Sequence, residues 1–127
     1  MKGYTTIEQS KKLLELGFDP NTADMHWWIT HHSHYAGLGW SEEFRKKTGS
    51  ACQPAWSLSA LLDEIPQSVI TDNGDEYTLQ MGKDDDLTYV FGYYCEYTAT
   101  NVVEFVSQEA VEAAYELICW LLENKYV

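Results

Sequence analysis

The apolar residues of this chain change period along its length, and that change limits the folds open to it. Near the N-terminus they recur at helical spacing. From Val69 to Cys95 they alternate, and after Ser107 they return to helical spacing. The first run predicts a helix from about Ile7 to Leu16. Thr5 with Glu8, and Thr6 with Gln9, both have capping-box spacing; Gly17 ends the helix, Phe18 packs back on it and Asp19-Pro20 forbids continuation. PAWSLSALLDEIP predicts a second helix, capped by Ser57, with Trp56 stapled onto Leu61 and Leu58, Leu61, Leu62 and Ile65 on one face. Strands are expected at Met25–Thr30, Val69–Thr71, Tyr77–Met81 and Leu87–Cys95, with another around Val102–Val106. Asn73-Gly74 marks a hairpin that would set Asp72 against Asp75, and Gly82–Asp86 marks a second turn. The last helix is expected from Gln108 to Asn124, capped by Ser107, with Ala110, Val111, Ala114, Leu117, Ile118, Leu121 and Leu122 on its apolar arc. His31 to Pro54 reads as irregular apart from a brief helix in SEEFRKKTG. The expected architecture is one α+β domain over residues 1–127: an antiparallel meander of three to four strands with an N-terminal, a middle and a long C-terminal helix.

Charge narrows the function. The chain carries 20 Asp and Glu against 8 Lys and Arg, a formal charge of −12 over 127 residues. Such a surface does not bind nucleic acid by neutralising phosphates, is repelled by anionic membranes and favours a basic partner. No apolar run has the length of a membrane span, and the N-terminal pattern is an amphipathic helix rather than a signal peptide. Cys52, Cys95 and Cys119 are odd in number and form no CxxC, which points to free thiols in a reducing cytoplasm.

Four histidines and three of the 5 tryptophans crowd into MHWWITHHSHYAGLGW, Met25 to Trp40. His32 and His34 have HxH spacing and share parity with His26, so on an extended chain three imidazoles could hold zinc with a carboxylate or water as fourth ligand. Neither HxHxDH nor HExxH is present, and the plainer reading is a polar aromatic loop that needs no cofactor. Met25, Trp27 and Ile29 are expected on the core face of their strand. Trp28 and Trp40 are candidates for an exposed contact surface or for a small-ligand module that stacks on aromatics.

A better surface lies on the last helix. Glu109, Glu112, Glu116 and Glu123 fall within about 60° of one another, with no Lys or Arg at i+4, and Trp120 flanks them. A tryptophan beside a carboxylate row suits a basic protein partner; the competing reading is a solvated face with Trp120 folded against a neighbouring loop. The turns DNGDE and KDDDL lack the ligand spacing of a calcium loop. There is no GxSxG, no glycine-rich phosphate loop and no cysteine in a setting that lowers its pKa, so nothing points to an enzyme.

Two phrases, LLELGFDPNTADM (Leu13 to Met25) and PAWSLSALLDEIP (Pro54 to Pro66), resemble small uncharacterised proteins of phage-like and other mobile elements in gut Bacteroides-type bacteria. The resemblance covers mainly the first half, with a weaker echo in AAYELICWLLENKYV. It implies a bacterial accessory protein and transfers no functional residue. In those proteins the stretch after TADM varies, which weighs against a zinc site. The expectation is therefore a protein-binding accessory protein, in one form an acidic mimic of nucleic acid; the alternatives are a metal-binding protein or metal-dependent hydrolase that uses His26, His32 and His34, and a small-ligand module that uses exposed aromatics.

Overall fold

Two overlapping capping boxes compete to start the first helix, and the one at Thr6 forms. The computed structural model describes residues 3–29, 34–38, 51–84 and 87–127, with the backbone alone at 28, 29, 34–38, 51 and 52. Helix α1 spans Ile7–Glu15. The Thr6 hydroxyl accepts from the Gln9 N–H at 3.1 Å, and the Gln9 side chain accepts from the Thr6 N–H at 2.9 Å. Gly17 takes φ +93° and donates to the Leu14 carbonyl, and Phe18 donates to the Leu13 carbonyl. These two bonds satisfy the carbonyls that a helix end leaves free, and they bring Phe18 into the core against Trp56, 5.1 Å away.

Thr5, the rejected cap, is fully buried and does something else. Its hydroxyl accepts from the Trp56 N–H at 3.1 Å and lies 2.8 Å from the Ser10 hydroxyl. Ser10 spends its own proton on the Thr6 carbonyl, so Thr5 must be the donor in that pair. The Thr5 N–H donates to the Trp56 carbonyl, and the Thr5 carbonyl accepts from the Trp27 indole. One buried residue thereby ties α1 to the strand that carries Trp27 and to the segment before the middle helix.

That strand, β1 (Met25–Ile29), is the centre of a three-stranded antiparallel sheet, with β2 (His34–Leu38) and β3 (Ala51–Ala55) on its flanks. The region expected to be irregular thus supplies two strands. Neither has strong alternation: Gly37 interrupts β2 and Pro54 lies in β3, where an edge tolerates its missing N–H. The SEEFRKKTG helix lies outside the described residues. The expected burial of β1 is also inverted in part. His26 is buried, whereas Trp27 is half-buried, with its ring edge-on to Tyr4.

Helix α2 (Leu58–Glu64) starts at Ser57, whose hydroxyl accepts from the Ala60 N–H; the Asp24 carboxylate receives both the Ser57 N–H and its hydroxyl. Trp56 and Leu61 are fully buried. The second sheet is the expected meander, in order β4 (Ser68–Ile70), β5 (Glu76–Lys83), β6 (Tyr89–Cys95) and β7 (Thr100–Ser107). Its first turn is a three-residue loop, Asp72-Asn73-Gly74, with Gly74 at φ +88°. Asp75 therefore meets Thr71 rather than Asp72. The second turn runs later than expected, with the same bonds between Asp84 and Thr88 and Leu87 at φ 61° where the first turn has glycine. At Gly92 a Cβ would sit 2.5 Å from the Val103 carbonyl, so β6 and β7 approach as only glycine allows.

Helix α3 (Ala110–Glu123) begins two residues later than expected. The Ser107 hydroxyl accepts from Glu109 N–H, which leaves Glu109 as the N-cap with no side-chain bond of its own. The helix lays Val111, Ala114, Leu117, Ile118 and Leu121 against the sheet and α2. It ends as α1 does, with Lys125 in the left-handed region and Tyr126 donating to the Leu121 carbonyl. The chain is an α+β domain with two antiparallel sheets, and none of the described helices is long and apolar enough to cross a membrane.

Replacing Thr5 by valine keeps shape and removes the hydroxyl. It is expected to cost about 1–3 kcal/mol, because the buried Trp56 N–H loses its acceptor. Serine keeps the bonds and should cost only about 1 kcal/mol for the lost methyl. Urea unfolding of the two variants checks the order; valine equal to or better than serine would contradict it.

Candidate functional site

Lys12 of α1, Phe105 of β7 and one face of α3 enclose an open groove of about 350 Å³. From α3 come Tyr115, Glu116, Cys119, Trp120 and Glu123. Residues three and four apart on a helix share a face, which aligns these five side chains. Trp120 is half-buried; it stacks on Tyr126 at 5.2 Å and lies 6.0 Å from the Tyr93 ring. The turn after α3 that carries Tyr126 thereby fixes the orientation of Trp120, so this tryptophan forms a wall of the groove rather than a free anchor.

The carboxylates do not act alike. Glu109 stands before the helix, Glu112 lies one turn from Glu116, and Glu116 and Glu123 line the groove. Partial burial raises the pKa of Glu116 above the ordinary carboxylate value, and the charge of Glu112 adds to the rise. Burial also pushes the Cys119 thiol up. Glu123 and Glu116 act the same way, while a hydrogen bond from Tyr115 and the charge of Lys12 oppose them. Burial raises Tyr115 in turn, helped by its bond to Cys119 and by Glu112 and Glu116. The net upward shift disfavours the thiolate, the form of a cysteine that attacks as a nucleophile. Cys95 is buried in the core.

A second hollow, of about 300 Å³, lies between the turn at Pro20–Thr22 and the first sheet, lined by Pro20, Asn21, Ala23, His26 and Pro54. It contains the buried His26. The register pairs His26 with Gly37 and His34 with Ile29, three steps apart along β1, or about 10 Å. No group of three His, Cys, Asp or Glu among the described residues is placed to hold a metal ion. His32 and Trp40 lie outside the described residues. Trp28 is placed by its backbone alone, opposite Tyr35 and Cys52.

Sequence reasoning named the α3 part of the groove through Glu116, Trp120 and Glu123. Cys119, on the helix face of Tyr115, reads from sequence as a small buried apolar residue, whereas it is half-buried and lines the groove. Lys12 and Phe105 carried no signal, because only the tertiary fold brings them to α3. No protein-family model matches the chain, and no curated protein and no solved structure does either.

A raised carboxyl binds its proton more tightly in the folded chain than in the unfolded one. The contribution of Glu116 therefore falls as pH rises through the ordinary carboxylate range and stays low above it. Glu116→Gln should stabilise the protein at pH 7 by about 0.2–0.5 kcal/mol, the size of an i, i+4 like-charge repulsion. The gain should vanish once pH falls below about 4, where glutamate is protonated in both states. Thermal unfolding at pH 7 and pH 3.5 reads the difference; a gain of equal size at both would contradict it.

Proposed function

We propose that the chain is a non-enzymatic accessory protein that binds a basic protein partner through the α3 groove. The observation that carries this reading is the pairing of carboxylates with aromatic walls. Glu116 and Glu123 line the same concavity as Tyr115, Trp120 and Phe105. A lysine or arginine side chain lays an apolar stem on such rings and meets carboxylates with its head. The formal charge of −12 draws a cationic partner in and keeps nucleic acid out. The same charge supports the narrower form of the proposal, a protein that occupies the nucleic-acid site of a basic protein. Its likeness in LLELGFDPNTADM and PAWSLSALLDEIP to proteins of mobile elements supports an origin in a phage or related element, acting in the bacterial cytoplasm.

Any polycation is drawn to a chain this acidic, so the test must separate the groove from the total charge. Binding of fluorescein-labelled hexalysine is compared for Glu116→Gln/Glu123→Gln and for Asp72→Asn/Glu76→Gln, which remove equal charge at the first hairpin. The groove pair should weaken binding roughly tenfold, from about 0.2–1 kcal/mol at each carboxylate, and the hairpin pair much less. Equal losses in the two variants would reduce the binding to bulk charge.

A further inference from the structure

Strand β7 ends the second sheet in the order β4-β5-β6-β7, and β6 is its one partner among the described residues. It is 8 residues long, and none of them is buried. An open edge of this length presents a row of backbone donors and acceptors to any extended chain that approaches it. Sheets usually protect such an edge by keeping it short, as β4 is here with 3 residues. Val102 and Val106 are 38% and 49% exposed on β7, so the strand offers apolar contacts as well as backbone.

This edge is continuous with the groove. Phe105 belongs to both: it pairs with Phe91 within the sheet and lines the concavity with Glu116, Glu123 and Trp120. A residue placed opposite Phe105 on an added strand shares its face and points toward α3. On the other face, Glu104 is exposed and accepts from the Asn101 side chain at 3.0 Å. A strand added at β7 therefore meets carboxylates on both of its faces.

Charge selects the occupant. A second copy of the chain would bring a further −12 and would set the Glu104 residues of two antiparallel β7 strands near one another. An extended cationic segment meets one like charge, Lys12 at the groove, against the carboxylates of Glu104, Glu116 and Glu123. We infer that β7 is the docking edge for an extended, lysine- or arginine-bearing segment of a partner protein. The segment adds as a fifth strand and directs alternate side chains into the α3 groove. This rests on the reading of the groove as a site for a basic partner, and it specifies backbone pairing as the mode of capture.

The full chain is titrated with the capped peptide (Lys-Val)₄, equal in length to the 8 residues of β7. A second peptide of the same sequence is N-methylated at two adjacent central residues, which blocks both of its edges and leaves the charge unchanged. Affinity is measured with amide hydrogen exchange across residues 100–107. The plain peptide should bind and slow exchange in β7, and the methylated one should bind roughly tenfold more weakly or worse. Equal binding by both peptides, with β7 exchange unchanged, overturns the strand-addition mode while the groove reading stands. Failure of both peptides to bind overturns the groove reading and the inference with it.

Discussion

The hydrogen-bond chain that starts at the Trp56 N–H and runs through Thr5 and Ser10 to the Thr6 carbonyl is the constraint on which the rest depends. A buried polar group is tolerable only when every donor and acceptor is matched, and at Thr5 each one is. The arrangement fixes α1 against β1 and against the segment that leads into α2. Trp56, fully buried, is held at the other end of its side chain by the Thr22 hydroxyl. Leu13, Phe18 and Leu61 close around it as one apolar cluster. Because α1 is held there, Lys12 projects from it to the lip of the α3 groove. The position of one cation at the candidate site thus depends on a knot of neutral hydrogen bonds elsewhere.

Much of the architecture was legible where a local signal had a single physical meaning. The Gly17-Phe18 end of α1, the Ser57 cap and the meander from Val69 to Cys95 follow from positive-φ glycine, hydroxyl capping and period-two alternation. Where two signals competed, sequence could not rank them. Thr5 and Thr6 offered equal capping boxes, and the choice was made by the burial of Thr5 beneath Trp56, a residue far along the chain. Strands β2 and β3 were missed because Gly37 and Pro54 are local breakers, and pairing with β1 overrides them. The same limit explains His26. Parity placed it with Trp28 on a face expected to be open, and the turn at Pro20–Thr22 and Pro54 enclose it instead.

The candidate site divides in the same way. Glu116, Trp120 and Glu123 share a helix face, so their association is written in a single element. The groove itself is a tertiary feature made when β7 and α1 arrive beside that face. Its electrostatics also differ from the simple stripe. Partial burial raises Glu116 by penalising its charged form, the charge of Glu112 adds to the rise, and a cation brought to the groove would act the opposite way. A groove of this kind gains more from a cationic guest than an exposed row of glutamates would, because exposed pairs contribute little.

Carbodiimide coupling tests the central claim most directly. It joins carboxylates to lysine amines in contact with them, and peptide mass spectrometry then locates the linked residues. Applied to the full chain in an extract of cells that produce it, the coupling should join Glu116 and Glu123 to lysines of another protein, beyond any link to the chain's own Lys12, and excess hexalysine added first should suppress those links. Links spread evenly over the hairpin carboxylates Asp72, Asp75 and Asp84, with Glu116 and Glu123 unlinked, would contradict it and leave the groove without a role in recognition.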